Sequence, residues 1–290
     1  MARVAVVALV ACALAVTACG GSAAGSGGGT ATASDASPAP RTTPTPAPGP
    51  CEPGGRPSTL DAPLRTLLRV PAAARGHRAP LVVALHFATG TGRAMERQTG
   101  LTAEARRAGF VVAYPTATAG GFWRAPDEPK LEQTIAAIQD AACIDPQRIS
   151  LAGWSNGGGM ASLTACRMAG EVAAIALLAP AVHTDTGCTP SAPVSVLEVH
   201  GTADSLVAYR DGRRLVRTWV RRDGCDPSPR TTHVRPRVSR LRFPGCDGDA
   251  AVEHLRLARG HHVELVQDLR AAGLDPAATL WRFLRAQHAG

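Results

Sequence analysis

The sequence has few aromatic residues, a single lysine and no long apolar run beyond its first residues. Aromatic residues make up 4% of the 290 residues, and Lys130 is the only lysine, although the net charge is +8. Such a charge could attract nucleic acid or another polyanion. No series of aromatic side chains is interleaved with the arginines between Arg210 and Arg242 to stack on bases. We therefore predict a solvated, arginine-rich surface and no nucleic-acid partner.

The first residues are typical of an export signal. A positive charge at Arg3 precedes an apolar run over residues 4–15, which is short for a membrane span. The following Val16-Thr-Ala-Cys19 resembles the lipobox of bacterial lipoproteins, with cleavage after Ala18 and a lipid on Cys19. An ordinary signal peptide cleaved nearby is the alternative. Both readings predict a protein outside the cytoplasm, either secreted or attached to the cell membrane by a lipid.

Composition divides the rest of the chain into a linker and one domain. Residues 19–55 are dominated by Gly, Ser, Ala, Thr and Pro, with too little apolar bulk to offset the entropy of ordering them. We predict a signal peptide at 1–18, a lipidated cysteine and flexible linker at 19–55, and a domain at 56–290. Its length suits a single α/β domain, and we expect a monomer.

The cysteines also point to an oxidising compartment. Without Cys12 in the signal and Cys19, six remain, namely Cys51, Cys143, Cys166, Cys188, Cys225 and Cys246. An even set in an exported domain predicts three disulfides. Cys225 and Cys246 flank a strand-rich segment and are the pair we favour. No C-x-x-C spacing indicates zinc.

A G-x-S-x-G pattern centred on Ser155 is the feature around which the domain can be organised. Gly153 and Gly157 flank the serine, an apolar run precedes it, and a helix-compatible segment follows. Strand, sharp turn and helix are typical of a nucleophile elbow, in which a strained serine projects its hydroxyl above the sheet. At the helix N-terminus, the backbone N–H of Asn156 would contribute to an oxyanion hole. A plain glycine-rich turn is the alternative.

Apolar runs and helical periodicities alternate through the domain. Continuous apolar runs such as residues 79–86 are typical of strands covered on both faces. The alternation predicts an α/β fold with a mostly parallel central sheet and helices on both faces. Besides the strand before the elbow, we predict strands at 64–70, 79–86, 109–115, 172–178, 194–199 and 252–257, and helices at 93–108, 131–142, 156–169, 210–222 and 277–287.

A nucleophilic serine needs a histidine base, and the histidine needs a carboxylate that orients it. In elbow hydrolases the chain order is serine, acid and histidine. Asp204 follows the predicted strand 194–199 after a glycine turn, and we predict it as the acid. The alternatives are Asp185, which also follows a predicted strand, Asp211 and Asp247.

Two adjacent histidines follow the last predicted strand. We predict His261 as the base because it directly follows Gly260, where a sharp turn can direct its side chain over the site; His262 is the alternative. His254 lies inside the strand pattern and is predicted to be structural. A metal site formed by His254, His261, His262 and Glu264 lacks a recognised ligand spacing, so we predict no metal and no other cofactor.

The loop after the first long buried strand is the predicted source of the second oxyanion donor. A backbone N–H of Phe87 or Ala88 would serve, since this loop faces the elbow in such folds. His86 is predicted to orient the loop or to pack rather than to act as a base. His86, Trp123 and Trp154 are the candidate residues for the substrate pocket, although either tryptophan could belong to the core.

These motifs together resemble a family of exported esterases. Leu85-His86, Tyr114-Pro115, Trp123, Gly153-Trp-Ser-Asn-Gly-Gly158, His200-Gly-Thr-Ala-Asp204 and Gly260-His261 are similar to polyhydroxybutyrate depolymerase-like and feruloyl esterase proteins of the carbohydrate esterase family 1 type, which include actinobacterial lipoproteins. The resemblance extends to the closing Trp281-Arg-Phe-Leu. It implies an α/β-hydrolase fold with Ser155 as nucleophile, Asp204 as acid and His261 as base.

The chain departs from that family at two positions. Phe87 stands where the family usually has glycine, which implies a narrower acyl pocket. In the family the histidine is usually followed by one residue and then by Trp-Pro. Here His261 is followed by His262-Val-Glu264, so the Trp-Pro is absent. We expect a serine esterase that acts on hydroxyalkanoate, feruloyl or acetyl-polysaccharide esters, some of them polymeric. A serine peptidase, a cell-envelope acyltransferase and a non-catalytic lipoprotein that binds a wall polymer are the alternatives.

Overall fold

A computed structural model describes residues 58–118, 120–181 and 187–289. Within them, ten strands form one sheet in the order β1-β2-β4-β3-β5-β6-β7-β10-β9-β8. The strands are β1 (Thr59–Leu60), β2 (Thr66–Arg69), β3 (Ala79–Leu85), β4 (Val111–Pro115), β5 (Ile144–Trp154), β6 (Val172–Leu178), β7 (Ser195–Gly201), β8 (Arg230–Arg235), β9 (Val238–Phe243) and β10 (Val252–Leu257).

The six central strands, from β4 to β10 in the sheet order, are parallel to one another. Antiparallel strands extend the sheet at both edges, with β2 and β1 on one side and β9 and β8 on the other. The prediction of a mostly parallel sheet is confirmed. All parallel strands therefore place their carboxyl ends at one edge of the sheet, where ligands bind in folds of this kind.

Helices cover both faces of the sheet. They are α1 (Gly92–Thr99), α2 (Leu101–Ala108), α3 (Glu128–Ala141), α4 (Asn156–Arg167), α5 (Tyr209–Arg222), α6 (Leu265–Ala271) and α7 (Pro276–Leu284). Alternate residues of β3 belong to two separate apolar clusters, because side chains along a strand point to opposite faces. One cluster includes residues of α3, α4 and α5, and the other includes residues of α1, α2, α6 and α7.

Four features differ from the sequence-based expectations. The helix predicted over 93–108 is two helices, because Gly100 between them has a φ of 78° that ends α1. The β8–β9 hairpin and the short helix α6 had no strong periodic pattern and were not predicted as separate elements. The strand before the elbow begins at Ile144, earlier than the apolar run alone indicates.

Disulfides connect segments within the described residues. The predicted pair Cys225–Cys246 is confirmed, and Cys166 pairs with Cys188. Cys143 is also disulfide-bonded. The signal, Cys19, the linker and Cys51 lie outside the described residues. None of the helices in the part of the chain that the structure describes is long and apolar enough to cross a membrane.

Candidate active site

Ser155 lies in a strained turn between β5 and α4. Its φ of 54° and ψ of −119° fall outside the regions that non-glycine residues normally occupy. A side-chain carbon at Gly157 would lie 2.4 Å from the carbonyl oxygens of Leu85 and His86, and one at Gly153 would lie 2.4 Å from that of Gly157. The flanking glycines therefore allow β5, α4 and the end of β3 to approach closely enough to hold the turn.

The loops after β7 and β10 are held directly against each other. A side-chain carbon at Gly201 would lie 2.2 Å from the carbonyl oxygen of Gly260, so glycine permits this contact. The N–H groups of Thr202 and Ala203 donate to the carbonyls of Leu257 and Gly260, each at 2.9 Å. These contacts bring Asp204, in the loop after β7, within hydrogen-bond distance of His262, in the loop after β10.

A chain of hydrogen bonds joins Ser155, His262 and Asp204. Nε2 of His262 lies 2.8 Å from Oγ of Ser155, and Nδ1 lies 2.7 Å from Oδ2 of Asp204. Because the carboxylate can only accept, the hydrogen is on Nδ1, and Nε2 accepts from the serine hydroxyl. Oδ1 of Asp204 accepts from the backbone N–H groups of Leu206 and Val207 at 2.9 and 2.8 Å. The carboxylate is thus fixed in position.

His261, predicted as the base, does not contact Ser155. Its side chain is 57% exposed, and both its backbone N–H and its Nδ1 hydrogen-bond Oδ2 of Asp268 on α6. Arg259 adopts a φ of 58° just before Gly260, and the turn leaves His261 outside and the next side chain inside. The expectation of His261 beside the serine is corrected: the ring of His262, 9% exposed, occupies that place.

Asp204 is the carboxylate that contacts His262. Asp211 lies instead in the first turn of α5, and Asp247 packs against Gly224 beside the Cys225–Cys246 disulfide. Asp185 lies outside the described residues. The suggested metal-ligand set also separates, because His262 contacts Asp204 and Ser155, His261 contacts Asp268, and His254 contacts Glu198.

His86 and Trp123 lie behind the loop that faces Ser155. Nδ1 of His86 donates to the carbonyl of Phe87 at 2.8 Å, and Nε2 accepts from the N–H of Ala117 at 3.1 Å. Burial lowers the pKa of His86, which keeps the ring in this neutral form. Nε1 of Trp123 donates to the carbonyl of His86 at 2.8 Å. These contacts fix the course of the loop.

The side chain of Asn156 joins the same loop system to the elbow helix. Its Oδ1 accepts from the N–H of Trp123 at 2.7 Å, and its Nδ2 donates to the carbonyl of Trp123 at 3.2 Å. Asn156 is the first residue of α4, where the backbone N–H groups point toward the N-terminal end of the helix. The sequence singled out Asn156 for its backbone alone, and no local pattern indicates this side-chain pairing.

A cavity of about 280 Å³ opens beside Ser155. Its lining comprises Phe87, Ala88, Thr89, Gln98, Trp154, Ser155, Leu206, His262 and Val263. Phe87 and Trp154 meet edge to face with ring centroids 5.2 Å apart and form an aromatic wall. The predicted pocket role of Trp154 agrees with this lining, whereas Trp123 and His86 are buried at 1% and 0% exposure and are not part of it.

The arrangement combines groups suited to attack on a carbonyl carbon. The Ser155 hydroxyl is hydrogen-bonded to the imidazole of His262, which can take its proton, and Asp204 can stabilise the imidazolium that results. The N-terminus of α4 favours negative charge near the serine. The adjacent cavity is apolar enough to accept the non-polar part of a small acyl group.

Sequence and structure comparisons point in the same direction. The model of the family described as "Esterase PHB depolymerase" matches residues 64–218, more than half of the chain. Feruloyl esterase B of Piromyces equi is 26% identical over 230 residues, which is 69% of this chain and 42% of that protein. Feruloyl esterase D of Neurospora crassa is 32% identical over 120 residues, or 40% of each chain.

The fold recurs among solved structures. The acetyl xylan esterase from Aspergillus awamori superposes with a TM-score of 0.59 at 17% identity, covering 74% of this chain and 96% of that one. This similarity concerns the fold alone. The α/β-hydrolase fold that the sequence predicted is confirmed. The chain spans roughly two fifths of the length of the two curated relatives, at 42% and 40%.

Proposed function

Since the chain belongs to the esterase PHB depolymerase family, we propose that it is a serine carboxylic ester hydrolase in which Ser155, His262 and Asp204 form the catalytic triad. The hydrogen-bond chain from Ser155 Oγ through His262 to Asp204, at 2.8 and 2.7 Å, is the observation that carries this proposal. It provides the nucleophile, the base and the orienting acid in the geometry that acyl transfer requires.

The reaction follows from the positions of the protons. His262 takes the Ser155 proton at Nε2 while the serine oxygen attacks the ester carbonyl, and Asp204 stabilises the resulting imidazolium. The protonated ring then donates to the departing alcohol oxygen, which leaves an acyl group on Ser155. Water enters, gives a proton to His262 and attacks the acyl carbon, and the ring returns that proton to Ser155 as the acid leaves.

We assign the oxyanion hole to backbone N–H groups of Asn156 and of the Phe87–Ala88 segment. Phe87 and Ala88 line the cavity together with Ser155, and Thr89 holds a φ of 61° in the same loop. The contacts of His86, Trp123 and Asn156 hold this loop from behind. Donors that are already in place stabilise the developing negative charge without reorganising during the reaction.

A fluorophosphonate probe tests the proposal, because it labels a serine only when that serine is activated. We expect labelling of the wild type and none of Ser155→Ala at equal folded concentration. A folded wild-type protein that stays unlabelled would remove the enzyme assignment and favour the polymer-binding alternative. A labelled protein that hydrolyses no member of an ester panel would instead point to the peptidase or acyltransferase chemistries.

The substrate class follows from the cavity and from the relatives. The two curated relatives are named feruloyl esterases, and the cavity here is small and bounded by Phe87 and Trp154. We propose short or planar acyl groups, with hydroxyalkanoate, feruloyl and acetyl-polysaccharide esters as the candidates. The phenyl ring of Phe87 would limit the length of the acyl chain.

Phe87→Ala tests that limit. Because the substitution removes one wall of the cavity, we expect kcat/KM for a hexanoyl ester to rise about tenfold relative to that for an acetyl ester. Phe122→Ala is the matched control, since this phenylalanine is 39% exposed and does not line the cavity. A series of p-nitrophenyl esters measures the ratio, and an unchanged preference in Phe87→Ala would assign the acyl group to another surface.

We also propose that the protein acts outside the cytoplasm and is attached to the membrane through a lipid on Cys19. The disulfides among the described residues support an oxidising compartment. Metabolic labelling with a fatty acid tests the anchor. Label on the wild type but not on Cys19→Ser agrees with the proposal, and an unlabelled wild type in the culture medium would favour an ordinary signal peptide.

A further inference from the structure

A second buried polar cluster lies behind Asp204, and the proposed reaction does not use it. Glu198 and His200 come from β7, His254 comes from the adjacent β10, and Tyr209 begins α5. The side chains of Glu198 and His200 are entirely buried, at 0% exposure each. Groups buried this deeply need hydrogen-bond partners for their polar atoms, so the contacts indicate where the protons are.

Both ring nitrogens of His200 face oxygen atoms that accept hydrogen bonds. Nδ1 lies 2.7 Å from Oε1 of Glu198. Nε2 lies 3.0 Å from the carbonyl oxygen of Val207 and 3.3 Å from Oδ2 of Asp204. A carbonyl and an ionised carboxylate cannot donate, so both nitrogens must carry hydrogen, which makes the ring an imidazolium.

Glu198 is placed to balance this charge. Its Oε1 faces His200, and its Oε2 makes a short contact with Nδ1 of His254, whose Nε2 lies 2.8 Å from the Tyr209 hydroxyl. Burial raises the pKa of Glu198, but the neighbouring histidines outweigh burial and lower it to about 2. Burial lowers the pKa of His200, but the hydrogen bond and charge of Glu198 raise it overall.

We propose that His200 is a permanently charged positioning residue, which Glu198 holds as an imidazolium and which in turn holds Asp204. The inference rests on the proposed ester hydrolase function for its catalytic consequence, though not for the charge itself. Asp204 Oδ2 lies 2.7 Å from Nδ1 of His262 and 3.3 Å from Nε2 of His200, so the two histidines together fix its position. Charges then alternate from Glu198 through His200 to Asp204.

This charge has a consequence for the pH range of the reaction. A cation beside Asp204 disfavours a second positive charge on the ring of His262. The ring of His262 must be neutral to accept the Ser155 proton. Removing the charge on His200 should move the acid limb of the kcat/KM profile to higher pH.

Other charged and titratable groups also surround these histidines. Tyr209 and Arg213 face the cluster from α5, and His254 and Arg256 face it from β10. Near His262, His261 and Asp268 pair with each other. All of them are retained in the variants below, so a shift of the acid limb that is common to all three variants can be assigned to the Glu198–His200 pair.

Gly212 on α5 provides a way to disturb this pair without removing an ionisable group. A side-chain carbon at Gly212 would lie 2.2 Å from Nδ1 of His200 and 2.5 Å from Oε1 of Glu198. The backbone of α5 at Gly212 therefore packs directly against the hydrogen bond between His200 and Glu198. Gly212→Ala would force them apart while both remain present.

The pH dependence of kcat/KM tests the proposal in His200→Gln, Glu198→Gln and Gly212→Ala. We expect the acid-limb midpoint to rise by about one pH unit in each, with kcat about tenfold lower and KM within about twofold of the wild type. His233→Gln, the same substitution at an exposed histidine on β8, should follow the wild-type profile. Variants that lose activity with an unmoved midpoint would reduce the cluster to a structural role and overturn the proposal.

The charge state can be measured without any catalysis. In ¹⁵N-histidine-labelled Ser155→Ala, imidazole resonances at a pH of about 8, where a free histidine is neutral, should show hydrogen on both nitrogens of His200. The signal is assigned by its loss in His200→Gln, and it should revert to a neutral ring in Glu198→Gln. A neutral His200 in Ser155→Ala would overturn the inference. If His200 is charged but the wild type hydrolyses no ester, the charge assignment is supported and the proposed function is contradicted.

Discussion

His262→Ala is expected to lower kcat/KM for ester hydrolysis by about 10⁴-fold. Nε2 of this ring is the atom in contact with the Ser155 hydroxyl, and Nδ1 is bonded to Asp204. Without the ring, the serine hydroxyl has no partner that can take its proton. The remaining activity would come from the oxyanion hole and from substrate binding.

The neighbouring histidine provides the matched control. His261→Ala removes an exposed ring whose partner is Asp268, so we expect kcat/KM to stay within about twofold of the wild type. Steady-state kinetics with a p-nitrophenyl ester measures both variants, and circular dichroism confirms that both are folded. Loss of activity in His261→Ala with retention in His262→Ala would contradict the site described above.

Gly157→Ala is expected to destabilise the elbow and with it the domain. The added carbon would lie 2.4 Å from two carbonyl oxygens at the end of β3, and backbone cannot move aside as a side chain can. We expect the free energy of unfolding to fall by about 3 kcal/mol and Tm to fall by roughly 6–12 °C. Activity should fall as well, because the loop that faces Ser155 shifts with β3.

Gly170→Ala separates this clash from ordinary backbone strain. Gly170 follows α4 with a φ of 96°, and nothing lies within 4 Å of the position of an added carbon. We expect a loss of about 1–2 kcal/mol from the positive φ alone and no change in kcat/KM. Thermal unfolding followed by calorimetry measures both variants, and equal losses in the two would show that the close approach at Gly157 is relieved by relaxation.

Local patterns were sufficient to predict the architecture and the strained turn at Ser155. Continuous apolar runs predicted most of the central parallel strands, because most side chains of a strand covered on both faces pack into the apolar core. The glycines around Ser155 predicted a turn that only small residues permit, and the turn has that form, with a φ of 54° at the serine. The Cys225–Cys246 pair was also predictable from the strand-rich segment between the two cysteines.

Local patterns were insufficient where one backbone turn reverses the direction of a side chain. His261 and His262 are adjacent, and the sequence contains no periodicity that distinguishes them. Trp123 is likewise a residue type that is common in substrate pockets, but its indole N–H donates to the backbone carbonyl of His86 from behind the loop. The pairing of Glu198 with His254 requires β7 and β10 to be neighbours in the sheet, which is a property of the topology.

The fold class, the turn at Ser155 and the position of a carboxylate and a histidine after predicted strands could be predicted without the structure, because each depends on residues close together in the chain. The tertiary structure decided which histidine contacts Ser155. Arg259 at a φ of 58° and Gly260 against Gly201 turn the loop so that His262 points inward. It also decided that Asp204 contacts two imidazole rings, since the contact with His262 joins loops that only the parallel pairing of β7 and β10 brings together.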